Sequence, residues 1–188
     1  MKQMILLSVM ILLTFVSCKK QGIPNLNLPL ATTTGQNTLG FKVDNKVWTN
    51  YGRRCTIGGC RDNNVLAYLY KQPNGDFILG ISAAYTVSSE AIDQSFGIYT
   101  KNITTTGTFS LDSSLGRGMN FVASSYTQSH KEYYNKFINK CFLTITKFDT
   151  TNKIISGTFH GILYNYLNLN DSTKIEEGRF DSHLDYRK

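Results

Sequence analysis

The stretch Cys141-Phe142-Leu143-Thr144-Ile145-Thr146, the turn signal Asp149-Thr150-Thr151-Asn152 and the returning run Lys153 to Tyr164 decide the fold class. Cys141, Leu143 and Ile145 alternate with threonines, the period of two that sends one side of a strand into a core and the other into water. Two such runs separated by four turn-forming residues read as a hairpin. The pattern extends in both directions. Lys174 to Leu184 follows and closes a C-terminal meander. Upstream, Leu39, Phe41 and Val43 share one strand face, Asp44-Asn45 turns, and Lys46-Val47-Trp48 returns. Val65 to Lys71 and Phe77 to Thr86 flank the turn Pro73-Asn74-Gly75, and Ser95 to Tyr99, Gly107 to Leu111 and Met119 to Ser124 are further strands. No stretch sustains a helical period; the best helix candidate, Ser88 to Asp93, has a serine N-cap but only one or two turns. The prediction is an all-β domain, an antiparallel sandwich or a partly open barrel built from hairpins and a C-terminal meander.

Composition points the same way. A chain of 188 residues holds one ordinary domain plus a targeting segment. With 41% hydrophobic and 18% charged residues it buries a core and is not a disordered tail. Eleven Tyr, 11 Phe and 15 Gly against 3 Pro favour strands and tight turns.

The N-terminus carries the clearest functional signal. Met1-Lys2-Gln3 precedes a mostly apolar run, Met4 to Val16, too short to span a bilayer but fitting a secretory signal peptide over residues 1–17. The run ends at Phe15-Val16-Ser17-Cys18, which resembles the lipobox of bacterial lipoproteins, with Phe15 where leucine is usual. The resemblance implies that Cys18 is acylated and becomes the mature N-terminus. Several acyl chains, each CH₂ contributing about 0.8 kcal/mol, make such an anchor effectively permanent. Residues 18–36, with Pro24, Pro29 and no apolar period, read as a flexible tether reaching roughly 20 to 25 Å. Residues 37–188 are then the β-domain. Removing Lys2 with the signal leaves 19 basic and 13 acidic side chains, a formal charge of +6. Nucleic acid is not an expected partner for an exported protein, whereas the membrane through its lipid anchor, anionic glycans and envelope proteins are.

Asn37 to Trp48, reading NTLGFKVDNKVW, resembles the NTxGxKVDGKxW opening of small lipoproteins of unknown function from Bacteroidota. Leu143 to Asp149, Ile155-Ser156-Gly157-Thr158-Phe159 and Glu177-Gly178-Arg179-Phe180-Asp181 resemble the end of the same group. The resemblance implies an exported all-β protein of the cell envelope, lipid-anchored in the outer membrane, and carries over no catalytic residue. Lys19-Lys20-Gln21 after Cys18 leaves periplasmic and surface-facing sides both open.

Three further cysteines remain, and three pairings are open to them. Cys55 and Cys60 flank Thr56-Ile57-Gly58-Gly59, whose glycines suit the turn of a short disulfide loop; Cys141 reads as a core residue. Arg53, Arg54 and Arg61 surround that loop with no acid from Lys46 to Arg61, so an anion site of bidentate guanidiniums is the sharpest binding candidate. His130, Lys131, Lys136 and Lys140 lie among Tyr126, Tyr133 and Tyr134, where strand packing is a better reading than base or sugar stacking. No catalytic residue, metal site or cofactor is expected: GxSxG, HExxH, Walker and GxGxxG patterns are absent, and no CxxC or His pair has ligand spacing. Glu176, Glu177, Asp181 and Asp185 are the best carboxylate group, but Gly178 suggests a bulge that breaks their common face, and edge charges are the better reading. Asn165, Asn168, Asn170 and Asp171 read as a hairpin loop in preference to a calcium site. The expected function is a membrane-anchored, non-catalytic β-domain that binds an envelope component, glycan or partner protein; a hydrolase acting on an envelope or dietary polymer is the alternative.

Overall fold

A computed structural model describes residues 24–56, 59–62, 65–125, 128–136 and 140–187; the signal run, Cys18 and the tether up to residue 23 lie outside them, as do Ile57, Gly58 and Tyr126. The fold is all-β, as the alternation required. Its strands are β1 (Thr38–Val43), β2 (Lys46–Thr49), β3 (Arg53–Thr56), β4 (Gly59–Asp62), β5 (Val65–Lys71), β6 (Phe77–Val87), β7 (Ile92–Lys101), β8 (Gly107–Ser110), β9 (Gly118–Ser125), β10 (Gln128–Tyr134), β11 (Cys141–Asp149), β12 (Ile154–Asn165) and β13 (Ser172–Arg187). The helix candidate shrinks to one 3₁₀ turn, Ser88–Glu90, because Ile92 and Asp93 already pair with Val87 and Thr86.

Eleven strands form one hydrogen-bonded sheet folded into two layers, not a closed barrel. One layer runs β2-β1-β13-β12-β11-β8, the other β5-β6-β7-β9-β10. Long strands turn the corners: the end of β13 leaves its layer to pair with β5, Leu184 to Arg187 lying parallel to Ala67 to Tyr70, and the end of β12 meets β10 at Asn165 and Tyr164. Every other strand pair is antiparallel.

The core between the layers is aromatic. Phe41 of β1 and Phe159 of β12 each lie 4.7 Å from Phe96 of β7, centroid to centroid, and Phe41 stacks on Trp48 at 4.8 Å. Offset and edge-on rings at these spacings add about 0.5–1.5 kcal/mol per pair beyond the area they bury. That cluster locks one layer onto the other.

The two ends of the sandwich carry different connections. At the first end lie the turns Asp149–Asn152 and Gln72–Asp76 and the end of β7 at Lys101. At the second end lie the β1–β2 turn, the β3–β4 hairpin, the 3₁₀ turn and the β12–β13 loop at Tyr166–Asp171.

Candidate functional site

β13 carries one extra residue at Glu176–Gly178, so its register slips against both neighbours: Gly40 faces Arg179 but Lys42 faces Glu176, and Phe159 faces Gly178 but Gly161 faces Ile175. Glu177 takes the left-handed conformation there, at φ 51. A β-carbon on Gly178 would come within 2.4 Å of the Phe159 ring, so only glycine lets the two strands close over the bulge. The expected bulge is therefore present, and it disperses the carboxylates. Glu177 is exposed and paired with Lys42 and Arg179, Asp181 is buried, and Asp185 lies beyond the corner on the stretch that pairs with β5.

Asp181 is the most heavily bonded side chain of the described protein. It accepts hydrogen bonds from the Thr32 hydroxyl (2.6 Å), the backbone N–H groups of Thr34 (3.0 Å), Gly35 (2.8 Å) and Gln36 (3.2 Å), and the Ser156 hydroxyl (2.7 Å). Burial alone would push its carboxyl upward, but these donors outweigh it and hold the group far below the usual carboxylate range. One of these five donors, Ser156, belongs to β12, and the other four come from the segment expected to be a flexible tether. Its described part, residues 24–36, is instead a strap laid on the domain. Leu26 packs on the core beside Trp48, Pro29 sits over Gly40 and receives a hydrogen bond from Arg179, and Lys147 bonds the Thr33 carbonyl. A segment without apolar periodicity is held because its backbone N–H groups find a buried carboxylate and its prolines find a flat sheet.

Where the strap crosses β13 it borders a shallow groove of about 750 Å³ on the outer face of the six-stranded layer. Thr158, His160 and Ile162 line it from β12, Lys174, Glu176, Glu177 and Arg179 from β13, and Ala31 and Lys140 from its margins. The ring of His160 stacks on Phe142 at 5.4 Å. Its carboxylates are committed: Glu176 pairs with Lys174 at 2.6 Å, and the hydrogen bond from Lys42 draws Glu177 below its ordinary value. Three cations, Lys140, Lys174 and Arg179, face two acids, and the groups are exposed or half-buried.

The other sequence candidates fall as follows. β3 and β4 form a separate two-stranded sheet in which Cys55 lies directly across from Cys60, and Cys60 is disulfide-bonded; the side chains of Cys55 and Arg61 lie outside the described part. The stretch from Lys46 to Arg61 is acid-free along the chain but not in space. Arg53 faces Asp62 at 3.9 Å and Arg54 faces Asp93 at 3.8 Å, and neighbours on a strand point to opposite faces, so Arg53 and Arg54 do not converge as one clamp. Cys141 is free and fully buried, and burial pushes its thiol up to about 11, which leaves it unreactive. Tyr133 is core and bonds Asp171, as do Lys131 and Asn165, so that carboxylate belongs to the loop that encloses it. Tyr134 donates to Glu132, which raises its phenol to about 12. Among the described residues no group of three or more His, Cys, Asp or Glu could hold a metal, and no helix is long and apolar enough to cross a membrane.

Sequence reasoning missed the strap and the groove. The signal for the strap was Thr32-Thr33-Thr34-Gly35, hydroxyls followed by a glycine at φ 78, a turn whose N–H groups converge on an anion.

Fold and site together define a two-layer β-protein with a charged groove on an outer sheet face beside an N-terminal strap. The chain belongs to the family described as Domain of unknown function (DUF5025), whose model matches residues 80–183, more than half of it. That match takes in the whole β12–β13 bulge and leaves out the strap, β1 to β5 and the arginine hairpin. No curated protein and no solved structure matches the chain significantly.

Proposed function

We propose that this protein is a lipoprotein of the bacterial envelope, held in the outer membrane by acylated Cys18, whose β-domain binds an anionic glycan in the outer-face groove without catalysis. The Ser17-Cys18 junction after an apolar run and the likeness to Bacteroidota lipoproteins support the anchor. The groove carries the rest. It is open, its donors Lys140, Lys174, Arg179 and Thr158 line it together, and its excess charge is positive. Glu176 and Glu177 are engaged by cations, and the hydrogen bond from Lys42 draws Glu177 down and not up, which is the wrong direction for a carboxyl that must donate a proton to a leaving group. This favours binding over hydrolysis. The full chain, purified in detergent, should be retained on a panel of anionic envelope glycans at low salt and released as salt screens the contacts. The double change Lys140→Ala and Lys174→Ala should abolish retention at unchanged melting temperature. Retention that survives the change, or shortening of the glycan during incubation, would replace this reading.

A further inference from the structure

The β12–β13 loop exposes apolar surface that none of the described residues covers: Tyr166 is 75% exposed, Leu167 87% and Leu169 43%. The loop is held in shape. Asn165 N–H bonds Asp171, Leu167 N–H bonds the Asn165 side chain, and Tyr134 meets the Tyr166 ring edge-on at 6.3 Å. Three large apolar side chains on a rigid tip rimmed by asparagines are unfavourable in water, at about 25 cal/mol for each Å² left wet.

The strap says which surface the tip meets. The described chain starts at Pro24, which with Asn25 and Leu26 lies against Val43, Lys46 and Trp48, at the β1–β2 turn. That turn is bonded to the root of the loop: Asp44 N–H to the Lys174 carbonyl at 3.2 Å, and the Thr173 hydroxyl to the Asp44 carboxylate at 2.8 Å. The point where the chain joins the domain and the apolar tip therefore share one end of the sandwich. From Cys18 to Pro24 is six residue steps, at most about 21 Å of chain. If the anchor of the preceding section holds, that end cannot leave the bilayer by more than this reach.

We propose that the Tyr166–Leu169 tip seats in the lipid surface that carries the Cys18 anchor, fixing the sandwich end-on with its groove facing sideways. Tyrosine and leucine suit the boundary between headgroups and acyl chains. Lys46, exposed on the same end, is a cation that phosphates could meet, whereas Lys131 there is held by Asp171 at 3.0 Å. This rests on the anchoring reading, and the test separates the two.

The full-length chain, purified from a bacterial membrane, is reconstituted into vesicles of phosphatidylethanolamine and phosphatidylglycerol. Tryptophan is placed at the tip by Leu167→Trp, or at the opposite end by Thr150→Trp; Trp48, 3% exposed, gives the wild-type baseline. Iodide should quench the tip tryptophan about threefold less than the Thr150→Trp one, and brominated lipid should quench only the tip. An acylated, vesicle-bound chain with both positions equally open to iodide overturns the orientation and leaves the anchor standing. A wild-type chain whose mass carries no acyl group overturns the anchor and the orientation with it.

Discussion

The two ends of the sandwich solve the same problem, closing a sheet, by different means. At the first end carboxylates tie the connections: Asp149 accepts from the N–H groups of Thr151 and Asn152 and from the Asn152 side chain, Asp76 holds Asn74, Asn102 and Lys101, and Asp181 gathers the strap just inside. At the second end the Tyr166–Asp171 loop leaves tyrosine and leucine in water and the arginine hairpin stands as its own small sheet. The first end is tied by its carboxylates, with Leu115 near Lys101 left 55% exposed, whereas the second sets Tyr166, Leu167 and Leu169 together in water. A chain under selection only for stability would not keep Leu167 outside, so the asymmetry separates what holds the fold from what the fold presents.

The largest test of this contrast is Asp181→Ala. Removing the shared acceptor takes a partner from three backbone N–H groups and two hydroxyls; the two buried bonds, to Gly35 N–H and the Ser156 hydroxyl, cost about 1 kcal/mol or more each, and the three part-buried ones cost less because water can replace the carboxylate. A loss of about 3 kcal/mol is expected, which for a chain of this size lowers the melting temperature by roughly 6–12 °C. The change should also open residues 32–36 to hydrogen exchange; a loss below about 1 kcal/mol would mean the strap is held elsewhere.

Acid should reproduce part of that loss. The Asp181 carboxyl titrates far below its unfolded value near 4. Its contribution is therefore complete above that value and declines as pH falls toward the folded one. Melting temperature followed from pH 5 down to about 2.5 should fall more steeply in the wild type than in Asp181→Asn. Asp76, Asp149, Asp171 and Glu177, also drawn down, act equally in both and cancel from the difference. Parallel curves would contradict the assignment.

At the second end, Gly52→Ala probes how the arginine hairpin is attached. Gly52 has φ 81, and a β-carbon there would sit 1.8 Å from the Thr86 carbonyl oxygen, between the bonds that Tyr51 makes to Ala84 and Thr86. About 2 kcal/mol of destabilisation is expected, with exchange protection lost first at Tyr51 and Thr86. The smallest effect belongs to Leu167→Asn: because the side chain touches water and not the core, unfolding by denaturant should shift by no more than about 0.5 kcal/mol. A larger loss would make the tip part of the fold and erase the contrast between the ends.

Most of the sheet was legible because its strands bury one face, and burial imposes a period. Leu143 and Ile145, or Phe77 through Tyr85, announce themselves that way. β10 does not: Gln128 to Tyr134 is polar almost throughout, and it forms a strand because β9 and the end of β12 lie on either side of it. β3 and β4 escape for a related reason, since a hairpin outside the core has no face to hide. The site was less legible still. Asp181 stands among other acids in the sequence, and four of its five partners lie 145 to 149 residues away in a stretch rich in threonine and proline. The groove depends on a bulge whose glycine was readable but whose opposite wall, the strap, was not.

The parallel pairing of β13 with β5 has a consequence for how the chain comes to be folded. β13 supplies partners to β1, β12 and β5, and it follows all three of them along the chain. Until it arrives, β1 with its β2 partner cannot join the larger sheet, and the strap has no carboxylate to close on. Thr38 waits for Asp181, 143 positions later, a loop closure that makes assembly slow compared with fold types built from neighbouring contacts. Residues 32–36 therefore remain without their acceptor while the intervening chain is made, and they become a fixed part of the surface only once β13 has brought Asp181 into place.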